Sequence, residues 1–100
     1  MEGGHPEYLK LLQEMRDLHV KKAADYGSGA DPLANCRASV ELGVPAWQGT
    51  MIRAMDKVTR IKSYIRNGGK LENESLEDSL KDLAAYSLIA LVLFREEKAK

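Results

Sequence analysis

The chain is 100 residues long and carries fifteen basic and fifteen acidic residues, so its formal net charge is zero. That length makes one domain with a modest core, which association with other copies would help. The charge balance excludes a global field that would draw the protein to nucleic acid or a membrane surface, so any attraction for phosphates must come from local placement of charge.

Pro6 can occupy the first turn of a helix. Tyr8, Leu11, Leu12, Met15 and Leu18 then recur at helical spacing, which predicts a helix over Pro6 to Ala24. His19, Lys22, Asp25, Tyr26 and Gly27 mark its end. A cation, a carboxylate and an aromatic ring before a Gly-Ser-Gly loop could contact a base, a ribose or a phosphate. They could equally be a C-terminal cap, with Gly27 left-handed and Tyr26 packed on the core. His19 lacks a second His or Cys at metal-ligand spacing.

Asp31-Pro32 reads as an N-cap and the first residue of a short second helix. Leu33, Cys36 and Val40 would share one of its faces, and Gly43 would follow its end. Cys36 is the one cysteine, which excludes an internal disulfide; a small buried thiol is its plain reading. Pro45 opens a third helix that would point Trp47, Met51, Met55, Val58, Ile61 and Ile65 inward and end at Asn67-Gly68-Gly69. Trp47 could stack on a nucleobase or serve as a core anchor.

The third helix has a second pattern. Arg53, Asp56, Lys57 and Arg60 are spaced as one stripe, which Tyr64 extends. Three cations around one acid could hold a phosphate chain, with Asp56 completing a metal site. The competing reading is a solvated outer face with an ordinary Asp56–Arg60 pair.

Ser75 and Asp78 resemble a capping box that starts a fourth helix, running to about Glu96. Glu74, Asp78 and Asp82 fall at i, i+4 and i+8 and so share one face. Like charges so placed repel unless a cation lies among them. Carboxylates facing a bundle interior are a common way to hold Mg²⁺ or Mn²⁺. The helix dipole explains Glu74, Glu77 and Asp78 without a metal, but not Asp82, which lies in the second turn beside Leu83. Lys70 and Lys81 could neutralise the cluster instead.

From Leu83 to Phe94 the sequence is apolar on every face. It is too short for a bilayer, which takes roughly 20 residues. Such a helix is expected to be buried all round, as a central helix, an oligomer interface or both. The short Gly68–Asn73 connection predicts an antiparallel hairpin that sets the cationic stripe opposite the acids. No export signal opens the sequence, and a cytoplasmic setting is expected. The expected fold is a single all-α domain over residues 1–100: a small bundle of four helices, the second one short, oligomeric through the apolar C-terminal helix.

Taken in order, these fragments resemble a family. They are Lys22…Asp25-Tyr26-Gly27, Pro32-Leu33-Ala34-Asn35, Gly43-Val44-Pro45-Ala46-Trp47, Arg53…Asp56-Lys57…Arg60 and Asn73-Glu74-Ser75…Asp78-Ser79…Asp82-Leu83-Ala84-Ala85-Tyr86. Together they resemble the phage-associated N-terminal domain of dATP/dGTP diphosphohydrolases, which is similar to the MazG-like all-α nucleotide pyrophosphatases. The resemblance covers roughly residues 16 to 95. It implies a helical, usually oligomeric protein acting on (d)NTPs with Mg²⁺. MazG-like enzymes draw acids from an E-x-x-E and an E-x-x-D stretch. Asp82 falls where the last acid of the second stretch would lie, with Ser79 where a Glu would precede it and Asp78 beside that position. The third helix offers Asp56 for the first stretch.

The leading expectation is therefore a Mg²⁺- or Mn²⁺-dependent (d)NTP diphosphohydrolase. Asp56, Glu74, Asp78 and Asp82 would hold metal, and Glu77 would be general base with Asp82 in the catalytic set. Lys22, Asp25, Tyr26, Arg53, Lys57 and Arg60 would bind substrate. The runner-up is a module that sequesters a nucleotide or cyclic nucleotide without turnover. A third reading is a structural helical oligomer whose charges are all solvated.

Overall fold

A computed structural model of the chain describes residues 3–26, 31–69 and 75–100. Among these, the regular structure is all helical: α1 (Pro6–Tyr26), a 3₁₀ helix (Ala34–Leu42), α2 (Ala46–Arg66) and α3 (Leu76–Lys98). This is the expected all-α arrangement with a short second helix. The residues gather into two compact units, Met1–Ala34 and Asn35–Lys100.

In the first unit, α1 begins where Pro6 fixes the backbone. The Glu7 N–H donates to His5 Nδ1 at 3.1 Å, which satisfies one of the open donors of the first turn. The helix runs through Asp25 to Tyr26, two residues beyond the expected end. The expected contribution of Gly27 to its cap lies outside the described residues.

The helix after Asp31 is 3₁₀ over its nine residues, Ala34–Leu42, not α. Asp31 Oδ1 accepts from the Leu33 N–H at 3.0 Å and its C=O from the Ala34 N–H at 3.2 Å, a turn that leads into the helix, which starts at Ala34 and not at Pro32 as expected. A 3₁₀ turn holds three residues, so the covered side repeats every third position. Cys36 is buried and Ser39 half-buried, whereas Val40 is 57% exposed. The expected Cys36–Val40 face assumed four-residue spacing, and the tighter helix removes Val40 from it. Gly43 ends the helix at φ +78°. The Gly43 N–H bonds Val40 C=O at 3.0 Å and the Val44 N–H bonds Ser39 C=O at 3.1 Å, the paired closure of a Schellman end.

Antiparallel packing of α2 and α3 follows from their cross-contacts. Trp47 meets Phe94, Arg53 meets Tyr86 and Lys57 meets Asp82, so one number rises as the other falls. A Schellman end also closes α2. The Gly68 N–H reaches Ile65 C=O and the Gly69 N–H reaches Tyr64 C=O, with both glycines at positive φ. At the start of α3, Ser75 Oγ accepts the Asp78 N–H at 3.0 Å, as the capping pattern predicted. Ser75→Ala should cost about 1 kcal/mol of stability, read as a lower urea midpoint with unchanged slope.

The seam between α2 and α3 is built from small residues. Thr50 and Ala54 on α2, and Ser79 and Ala90 on α3, are buried, along with Leu93. Thr50 Oγ1 donates to Ala46 C=O at 2.9 Å, so its buried hydroxyl is satisfied. This corrects the expected core face. Met51, Met55 and Ile65 were expected inward and are 37%, 55% and 72% exposed. The residues that let two backbones approach are Thr50 and Ala54, and the methionines fall to the flank. Nor is α3 buried all round, since Leu88, Leu91 and Val92 are about half exposed.

Candidate functional site

The edge of the α2–α3 seam carries charge. Lys57 Nζ lies 3.1 Å from Asp82 Oδ2, and each side chain is only 18% exposed. The aliphatic stem of Lys57 can lie along the apolar seam while its ammonium reaches the carboxylate. One turn earlier on α2, the Arg53 guanidinium carbon stands 5.4 Å from the centre of the Tyr86 ring. Tyr86 in turn follows Asp82 by one turn of α3. Two consecutive levels of the hairpin thus pair an α2 cation with an α3 acceptor, first a ring face and then a carboxylate.

The local sequence dictates this. Arg53 and Lys57 are four apart, as are Asp82 and Tyr86, so each pair lies on one helix face. The small seam residues bring the two faces within reach. With so little water around the Lys57–Asp82 pair, its attraction is less screened than that of a surface pair. Among the described residues, no buried side-chain nitrogen or oxygen lacks a hydrogen-bond partner.

The other expected site residues are distributed more widely. Asp56 and Arg60 are exposed on α2, and Glu77 and Asp78 are exposed in the first turn of α3. Glu74 lies outside the described residues. Lys22 and Asp25 are exposed on α1 in the first unit, and Tyr26 is the last residue of that helix. Tyr86 had been no part of the expected site; its i, i+4 relation to Asp82 is the signal that could have found it.

No three His, Cys, Asp or Glu side chains among the described residues come together as a metal-holding group. Mg²⁺ asks for less when substrate is present. It often binds through one or two carboxylates together with substrate phosphates and water. Asp78 and Asp82, one turn apart on α3, are the described acids whose spacing suits that role.

Away from this edge, Trp47 and Phe94 meet edge-to-face, with ring centres 5.4 Å apart at 82°. Of the two roles open to Trp47, the structure gives it the packing one. Arg37 Nη1 bonds Glu96 Oε2 at 2.8 Å, which ties the 3₁₀ helix to the end of α3. No helix among the described residues is long and apolar enough to cross a membrane. Comparisons with protein-family models, with curated proteins and with solved structures find no match.

Proposed function

We propose that the chain binds a nucleoside polyphosphate at the Arg53–Lys57–Asp82–Tyr86 edge and hydrolyses it with Mg²⁺, as a (d)NTP diphosphohydrolase of MazG-like type in phage-associated nucleotide metabolism. The observation that carries the reading is the Lys57–Asp82 pair. An acid in the second turn of α3 is turned into the seam beside a cation, with 18% of its side chain in water. An acid with no role beyond solubility would stand in solvent.

The cations do the binding. Arg53 offers a planar fork to phosphate oxygens and Lys57 a compact charge one turn away. Arg60 extends the same stripe by another turn. Asp78 and Asp82, with Glu74 and Asp56, are the acids assigned to the metal, and Glu77 is assigned as general base. Bound Mg²⁺ would supply charge neutralisation and polarisation of the phosphoryl oxygens. In the first unit, Lys22, Asp25 and Tyr26 are proposed as nucleotide-contacting residues from their grouping of cation, carboxylate and ring and from the resemblance.

Incubation with each dNTP and Mg²⁺, followed by product analysis, tests this directly. Release of pyrophosphate or phosphate from at least one dNTP is the expected result, and intact nucleotides throughout would end the enzymatic reading. A second reading has its own support. Lys57 already neutralises Asp82 without a metal, which suits a site that sequesters a nucleotide or cyclic nucleotide. Tight binding of an unhydrolysed ligand in EDTA, measured by calorimetry, would favour this second reading.

A further inference from the structure

The two cations of the α2–α3 edge are held in unlike ways. Lys57 meets the Asp82 carboxylate at 3.1 Å, a partner that cancels its charge. Arg53, one turn earlier, stands over the Tyr86 ring at 5.4 Å. Among the described residues no carboxylate pairs with Arg53, although Asp56 follows it on the same helix at i+3. A carboxylate would fix the guanidinium and neutralise it. A neutral ring fixes it and leaves the whole positive charge for something else.

The ring is itself firmly placed. Ser79, Asp82, Tyr86, Ala90 and Leu93 recur at helical spacing and form one stripe along α3. Ser79, Ala90 and Leu93 are buried in the seam, and Tyr86 is half-buried among them. Arg53, by contrast, is exposed, although Ala54 beside it is buried. A ring set in the packed seam therefore carries a cation that still meets water. Contact with the π cloud takes none of the guanidinium's N–H donors, so the planar fork stays open. Such a fork, with its charge intact, matches two non-bridging oxygens of one phosphate.

We propose that Tyr86 is a positioning residue for the phosphate chain, holding the Arg53 guanidinium ready for two oxygens of one phosphate without neutralising it. This role rests on the polyphosphate reading of the same edge and deepens it. An arginine free in water samples many rotamers and must be ordered as the ligand binds; the ring orders it beforehand. Tyr86 acts through Arg53, and its hydroxyl has no part in the role.

Calorimetry on the full chain with tripolyphosphate, in Mg²⁺ and again in EDTA, tests this. The wild type should bind in at least one of the two conditions. Tyr86→Phe keeps the ring and should bind within about twofold of wild type. Tyr86→Leu, with helical circular dichroism retained, should bind about fivefold more weakly, the scale of one long side chain ordered on binding. Tyr86→Met makes the same removal with a longer side chain if Tyr86→Leu does not fold. Arg53→Gln, at an exposed position, should bind more weakly still, and in that background removing the ring should change nothing further. A purely structural ring would weaken binding equally with and without the Arg53 cation, and that outcome overturns the positioning role. So does a Tyr86→Phe protein as weak as Tyr86→Leu, which would put the hydroxyl on the ligand. A wild type that binds, while Tyr86→Leu or Arg53→Gln binds as tightly, also overturns the positioning role and leaves the polyphosphate reading standing. A wild type that ignores tripolyphosphate in both conditions overturns the two together.

Discussion

Asp82→Ala should destabilise the protein by about 2 kcal/mol, below the 3–5 kcal/mol of a fully buried pair because about a fifth of each side chain still meets water. The loss arises less from the attraction removed than from the state left behind. Lys57 keeps its charge at a position that is 18% exposed, without the carboxylate that stood 3.1 Å away. Truncating one member of such a pair strands the other, whereas replacing both by apolar residues of similar volume is often neutral. Lys57→Met combined with Asp82→Leu should therefore recover stability to within about 1 kcal/mol of wild type, a non-additivity that a double-mutant cycle in urea reads directly. The double variant also separates structure from function. It is folded but has lost the ammonium and carboxylate assigned to the phosphate chain. Its melting temperature should no longer rise with any nucleotide that raises that of the wild type. If nucleotides stabilise both proteins equally, the pair is architectural and the polyphosphate site lies elsewhere.

Much of the fold is legible in the sequence, for identifiable reasons. Pro6, Pro45 and Ser75 mark starts, and Gly43 and Gly68-Gly69 mark stops, because these residues act locally through fixed φ, side-chain capping or positive φ. The inward faces are less legible. Weighing hydrophobicity by size places Met51, Met55 and Ile65 in the core, yet the seam selects Thr50 and Ala54, whose merit is that they let α3 approach. Nothing in α2 by itself reveals that preference; it appears only opposite Ser79 and Ala90.

The site divides in the same way. Asp82 stood out as an acid that the helix dipole could not account for, and it is the acid that the fold turns inward. Its partner Lys57 was legible once a hairpin was assumed, because the cationic stripe then faces the acids. The Arg53–Tyr86 contact was not, since an aromatic residue in an apolar run reads as core unless the opposing helix register is known. Asp56, Glu77 and Asp78 stand exposed, and geometry distinguishes none of them from an ordinary solvated charge.

Gly49→Ala should be strongly unfavourable, although alanine is the better helix former. On propensity alone the change would stabilise α2 by about 1 kcal/mol. Space decides otherwise. A Cβ built on Gly49 would fall within the side chain of Ser39, overlapping both its Oγ and its Cβ. Rotating the hydroxyl away does not relieve this, because the Ser39 Cβ is fixed to the backbone. The Oγ is also engaged, donating to Val44 C=O at 3.1 Å with Pro45 C=O at 3.4 Å. The 3₁₀ helix must then move off α2, and a net loss of about 2 kcal/mol is expected, in the range of overpacked interiors. Ser39→Gly in the same chain removes both offending atoms and should restore most of that loss, despite the flexibility it adds to the 3₁₀ helix. Urea unfolding of the wild type, both single variants and the double variant gives the coupling between the two positions. A Gly49→Ala protein more stable than wild type would mean that the 3₁₀ helix does not rest on α2 as described.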